Sequence, residues 1–518
     1  MDVEECGSIN NEPLDAIENE NEEEIIDDSE ERELVTDSCS TKVLDTSEQP
    51  HDSYWIVYLL FYLFGVTSLV PWNFLITAND YWMYKFRDVS PVNSTQLELP
   101  PVRKTQFQAE FTSYLNVATA IPNLIFLILN SLYGHLVSVK RRLQGSLLVI
   151  TLSFLVTTIF VQIDTDQWQN TFFIVTMVTV VIMTVLWTSS AQLKKLWSLL
   201  YQVSLKYFIN KCIFWNKTSH LLFSHERILI CIKNCFLCFS AASAIFISGL
   251  VGIASRFSKE YMGAVVSGQS LGGIIAAIAQ IISLAFKISP LHSALIYFII
   301  ADLMLVTSLI SYIMLYKIDF FTHHILRGAG GIAVNRHREV SMLVVMKKIW
   351  VYAFSIFAVF AISMAVYPAV TVLVESHPTT QGTDWNKIYF VPVVNYLIFN
   401  CGDYSGRLVA GFLLRPLNQW VIAAGSLLRI IGVPMLLFCN AQPRPHHLPV
   451  FFQWDYEYIM IMIVFAFSNG YLTNIVMINS TRMVELHERE KASSVIATML
   501  SVGLTVGAAV GMLLVHIL

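Results

Sequence analysis

The sequence predicts an all-α polytopic membrane protein of about eleven transmembrane helices, split six plus five into two bundles. Three observations carry that reading. Of 518 residues, 55% are hydrophobic and only 14% charged, with a mean hydropathy of +0.57, far from the composition of a soluble globular chain. The apolar runs are continuous, not alternating, and about 20 residues long, enough for a helix to cross a roughly 30 Å hydrocarbon layer. Finally, the charges are segregated. Residues 1–52 hold 19 of the 38 acidic residues and, of the 33 basic ones, only Arg32 and Lys42, so the remainder is cationic.

The acidic stretch, residues 1–53 with runs such as ENENEEEIIDDSEERE, has no hydrophobic period and too little apolar surface to offset chain entropy. It is expected to be a disordered tail. No positively charged leader opens it, so no signal peptide is expected and the first span itself directs insertion. The eight cysteines are scattered or crowded into one segment, which gives no disulfide framework.

The spans fall near 54–78, 109–134, 143–163, 171–190 with a disturbed continuation to 255, 261–286, 292–316, 346–374, 387–413, 418–439, 456–478 and 492–517. Lys140, Arg141 and Arg142 follow the second span. Lys317, Arg327, Arg336, Arg338, Lys347 and Lys348 follow the sixth, whereas DTDQWQN and ESHPTTQGTDW are acidic or neutral. The positive-inside rule then puts the tail in the cytosol and the C-terminus outside or in a lumen. Asn93, in Asn-Ser-Thr, falls on the outer side as a glycosylation candidate, and Asn479 falls on the silent side. The long connection 317–345 separates a first bundle (54–316) from a second (346–518). Such a split suggests a transporter with a cleft at the midplane; a many-helix receptor or scaffold is the alternative.

A charge at the bilayer centre costs from about 2.5 kcal/mol upward, so intramembrane ions are kept when paired or when they line a wet cavity. Asp403 and Arg407 in NYLIFNCGDYSGRLVAG share one helix face at i and i+4. Their chemistry admits two roles, a solute-binding patch or a lock between helices. Trp72 stands beside Pro71 and Asn73 well inside the first apolar run, where an indole suits stacking on a planar ring; an interfacial belt is the other reading, and Trp82 fits it better. Gly503, Gly507 and Gly511 recur at every fourth position, a spacing for close helix packing. SGQSLGG, Ser267 to Gly273, is no phosphate loop, since no strand precedes it and no Lys-Ser/Thr follows. No HExxH, Walker sequence or triad is present, so the chain is expected not to be an enzyme and to need no metal or cofactor.

PWNFLITANDYW, SGQSLGG, YPAVTV, FNCGDYSGR and FAFSNGYL, in that order from about residue 54 to the C-terminus, together resemble the equilibrative nucleoside transporters. PWNFLITANDYWMYKFRD is most similar to the third, lysosomal type. The resemblance implies an eleven-span, major-facilitator-like fold with a cytosolic N-terminus, in a plasma or a lysosomal or late endosomal membrane. It implies nucleosides as substrate, moved by equilibrative or proton-linked transport, with nucleobases in range; the lipid bilayer and no nucleic acid are the other partner expectations. Carried over position by position, it implies a cavity lined by Leu69, Trp72 and Asn73 from the first span and by Ile121 and Leu124 from the second. Ile247 from the fourth, Tyr367, Tyr396, Asn400, Asp403 and Arg407 from the seventh and eighth, and Leu504 from the eleventh complete it. A stackable base and a ribose with vicinal hydroxyls would suit Trp72 and the forked Arg407 guanidinium. Where many plasma-membrane members carry a base-contacting glutamine, this chain has Ile247, which makes no hydrogen bond.

One segment departs from the family. FFIVTMVTVVIMT should continue directly into AASAIFISGLVG, yet residues 185–240 intervene and split the fourth span into halves too short to cross. A regulatory loop, an additional apolar stretch and a translated intron all account for it, the last best. Cys231, Cys235 and Cys238 with His220 and His225 match no standard zinc spacing. With the segment in place, a non-transporting isoform is an alternative function, and a carrier of other organic solutes such as cationic amines is another.

Overall fold

The computed structural model describes residues 50–85, 120, 123–125, 127–128, 139–162, 243, 245–325, 341–377, 383–412, 417–442, 449–485 and 488–518. The expected acidic tail up to residue 49, the sequon at Asn93, Ile121, most of the span at 109–134, the span at 171–190 and the segment 185–240 lie outside them.

The main helices are α1 (Ile56–Thr77), α2 (Val139–Phe160), α3 (Lys259–Ala285), α4 (Pro290–Leu315), α5 (Met342–Val366), α6 (Phe399–Phe412), α7 (Gln419–Leu428), α8 (Asp455–Arg482) and α9 (Arg489–Ile517). Eight helical stretches among the described residues are long and apolar enough to cross a membrane. Each overlaps an expected span. The expected span at 387–413 is helical as well, but it begins as π-helical turns, Trp385–Tyr389 and Val391–Ile398, before becoming α6. Ile245–Ala254, the residue of the split fourth span, is a short apolar helix. No strand occurs among the described residues beyond two isolated bridges, Val374 to Ala441 and Cys439 to Phe452. The protein is an all-α polytopic membrane protein.

The start of α1 is set by Asp52. Its carboxylate accepts the amides of Val57 (3.0 Å) and Tyr58 (3.1 Å), satisfying donors that no helical carbonyl reaches. It also accepts the Tyr261 hydroxyl at 2.8 Å, tying that end of α1 to the start of α3. The boundary drawn at residue 53 therefore cuts through a cap: Asp52 is buried and belongs to the helical body.

With no solvent-driven attraction between apolar helices in lipid, packing depends on close backbone approach at small residues. On α1 and α3 this is reciprocal. A Cβ on Gly65 would fall on the Val265 carbonyl oxygen, and one on Gly268 on the Tyr62 carbonyl oxygen. The stripe Gly503, Gly507 and Gly511 does what its spacing predicts: a Cβ on these would lie 2.6 Å from Phe357 O, 2.5 Å from Ala361 O and 3.0 Å from Met364 O, so α9 sits directly on α5. The outward faces keep their apolar side chains, as in α4, where Leu303, Val306, Ile310 and Ile313 are exposed while Phe298, Leu305 and Ser308 are buried.

Candidate functional site

Asp403 and Arg407 lie on successive turns of α6, 4% and 5% exposed. Arg407 Nε stands 2.9 Å from Asp403 Oδ2, yet its N–H is not aimed at an acceptor, so this is a charge contact and not a directed hydrogen bond. Each member is instead bonded to a neighbouring helix. Asp403 Oδ1 accepts Asn469 Nδ2 of α8 at 2.7 Å, and Oδ2 accepts the Ser270 hydroxyl of α3. Arg407 Nη1 donates to the Val266 carbonyl (2.6 Å) and to Gln269 Oε1 (3.3 Å), both on α3. Asn474 of α8 donates to the Arg407 carbonyl at 2.6 Å. The two charges therefore hold α3, α6 and α8 together, and the pair is a lock in geometry whatever else it does.

The close approach of α6 and α8 makes this possible. A Cβ on Gly470 would land on the Asp403 carbonyl oxygen, and one on Gly406 on the Phe467 carbonyl oxygen. Asn469 is in turn held by Ser363 of α5, whose hydroxyl donates to its Oδ1 at 2.7 Å. Another buried cation, Arg429, just after α7, donates to Ser468 Oγ (3.0 Å), Val359 O (2.9 Å) and Phe465 O (3.2 Å), with its guanidinium 4.6 Å from the Phe465 ring centre. Each of its three nitrogens donates to a neighbouring helix, so it fastens helices.

Of the other expected lining residues, Asn400 and Asn73 come together with α3. The Asn400 amide oxygen occupies the place a Cβ on Gly273 would need, and Asn73 Nδ2 lies 3.6 Å from such a position on Gly272. Asn400 Nδ2 donates to the Tyr396 carbonyl at 2.8 Å. Trp72 is half-buried and packs against the core. Leu69, Leu124 and Leu504 are half-buried, and Ile247 is half-buried on the Ile245–Ala254 helix. Tyr396 is fully buried with its hydroxyl on the Ile76 carbonyl at 3.2 Å. Tyr367 is 8% exposed and stacks on Phe399 at 3.7 Å between ring centres. Both tyrosines thus use their polar or flat surface on the protein itself.

Sequence reasoning did not single out Gln269, Ser270 or Asn469. The signal was there: a Gln-Ser pair and a Ser-Asn pair, each within a long apolar run flanked by glycines, SGQSLGG and FSNG. What was missing was knowledge of which helix faces which.

A family model described as Nucleoside transporter matches residues 232–341 and 333–516, more than half of the chain. The chain belongs to the nucleoside transporter family. Among individual relatives, it is 28% identical over 515 residues to equilibrative nucleoside transporter 1 of Rattus norvegicus, covering 91% of this chain and 99% of that protein. It is 26% identical over 492 residues to equilibrative nucleoside transporter 3 of the same organism, covering 90% of each. Equilibrative nucleotide transporter 1 of Arabidopsis thaliana is 21% identical over 480 residues. The nucleoside transporter family match begins at residue 232, so the polar cluster on α3, α6 and α8 lies wholly inside it.

Proposed function

We propose that the chain moves nucleosides across a membrane, by alternating access of a first bundle (54–316) and a second (346–518) around a site centred on Arg407. One observation carries the reading. In the apolar interior, Arg407 keeps Nη2 without a partner among the described residues while its neighbour Asp403 neutralises its charge. Nη2 is therefore a spare donor inside a membrane protein, held among α3, α6 and α8. A ribose supplies the acceptor oxygens such a donor needs, and Trp72, Leu69 and Ile247 supply apolar surface for the base. The names of the relatives, transporters of nucleosides, support the same substrate class. Leu124, Asn400 and Leu504 complete the proposed lining, with Ile121 outside the described residues, while Tyr396 and Tyr367 support it from behind. Glycosylation at Asn93 and residence in a plasma or lysosomal membrane belong to the same proposal.

The test is uptake of labelled uridine and adenosine in cells without endogenous nucleoside transport, at neutral and acid pH. Uptake by the full chain, or by a chain with Thr184 joined to Ala241, supports the reading; none by either sinks it. A second reading is favoured by the segment 185–240, which splits the fourth span: the chain carrying it is a non-transporting isoform. Uptake only when the segment is removed selects that reading.

A further inference from the structure

We propose that Gln269 is a substrate-contacting side chain that, with Arg407, presents two adjacent donors to the vicinal hydroxyl oxygens of a ribose. The inference rests on the transport reading above and adds a residue and a specificity to it. Gln269 Oε1 accepts Arg407 Nη1 at 3.3 Å. That bond decides the orientation of the amide: its oxygen faces the guanidinium and its NH2 faces away, so Gln269 offers the solute a donor and not an acceptor.

Placement supports this. Gln269 is half-buried in the middle of α3, where a polar side chain would be costly against lipid. The lipid face of α3 is marked by Ile278 and Ile282, 43% and 51% exposed. At about 100° per residue, Gln269 lies half a turn around from Ile278 and so points into the bundle. One turn further along the same face, Gly272 meets α1 at Val66 O and Asn73, and Gly273 meets Asn400 of the segment leading through α6. Gln269 therefore lies on the side of α3 that α1 and α6 cover, one turn from Asn73 and Asn400. Among the described residues neither Gln269 Nε2 nor Arg407 Nη2 has a partner, and neither is a sealed atom. The two NH2 groups belong to side chains that one hydrogen bond joins across α3 and α6. In a nucleoside the 2′ and 3′ oxygens, on adjacent carbons, are the acceptors that match two adjacent donors.

Gln269→Glu tests this with little change of shape: the oxygen on Arg407 is kept and the outward donor is lost, and the neutral Gln269→Leu controls for the added carboxylate charge. Dissociation constants for uridine and 2′,3′-dideoxyuridine are measured on the purified full chain and on Gln269→Glu, with Gln269→Leu as a second variant and ligand-free melting as a fold control. The expected result is about tenfold weaker uridine binding by either folded variant, with dideoxyuridine unchanged, so that the preference for the diol shrinks. Equal weakening of both ligands, or no change in either, overturns the inference and leaves the transport reading standing. If the unaltered chain binds neither nucleoside, both fall together.

Discussion

Tyr62 of α1 and Tyr404 of α6 share a hydrogen bond of 2.6 Å between their hydroxyls. Tyr396 Oη, two turns before Tyr404, reaches the Ile76 carbonyl of α1 at 3.2 Å. These two bonds join the same pair of segments at two levels, with Leu69, Trp72 and Asn73 between them on one side and Asn400 and Asp403 on the other. Tyr62→Phe is expected to lower stability by about 1 kcal/mol, the net worth of one hydrogen bond. Tyr404→Phe should cost the same, and the double variant no more than either, because each single change already removes the whole interaction. Thermal melting of the four proteins in detergent reads this directly, and additive losses would show that the bond is not shared.

Arg407→Lys is expected to reduce nucleoside uptake at least tenfold at unchanged surface expression. A lysine keeps the charge beside Asp403 but cannot bridge Val266 O and Gln269 while leaving a planar donor outward. Arg407→Ala should lose uptake too and, by leaving Asp403 buried without its cation, destabilise by about 3–5 kcal/mol. Normal transport by Arg407→Lys would make the pair a lock only.

Gly470→Ala is expected to destabilise the protein by about 1–3 kcal/mol, since its Cβ would collide with backbone, the Asp403 carbonyl oxygen, which cannot swing away. Gly411→Ala is the control: a Cβ there meets only Asn474 Nδ2 at 3.7 Å, ordinary contact. Melting temperatures should separate the two, and equal behaviour would contradict the α6–α8 packing.

Glu490, near the start of α9, accepts Arg256 at 2.7 Å and lies 3.6 Å from Arg142, whose side chain is 7% exposed. Glu490→Gln removes the carboxylate that these two arginines share and is expected to lower the melting temperature measurably. Lys259 with Glu260 is the contrast: the two are 3.9 Å apart with side chains 37% and 45% exposed, so Lys259→Gln should cost under about 1 kcal/mol, as solvent-screened pairs do. The reverse order would refute this ranking.

The class of the protein was legible because membrane spans are a one-dimensional property. A run such as 492–517 must be apolar along its length to lie in lipid, and its neighbours do not alter that. The glycine stripe on α9 and the charged pair on α6 were legible for a related reason: each exceptional residue conflicts with its immediate surroundings. The family was legible from five ordered motifs. Gln269, Ser270 and Asn469 were not, since a neutral polar residue in a span is weak evidence until the opposing helix is known. The same holds for Tyr396 and Tyr367, which the family resemblance places in a lining and which the packing turns toward the Ile76 carbonyl and the Phe399 ring.

By itself, then, the amino-acid order determined that the chain is a helical membrane protein, where the eight long apolar helices of the described residues run, and that Asp403 and Arg407 must be compensated. Only the tertiary structure decided how. Compensation depends on distances of about 3 Å between segments that are over sixty residues apart, as with Asn469 on Asp403 and Ser270 on the same carboxylate. Such distances follow from which glycines let α3, α6 and α8 touch, and no local pattern encodes a partner.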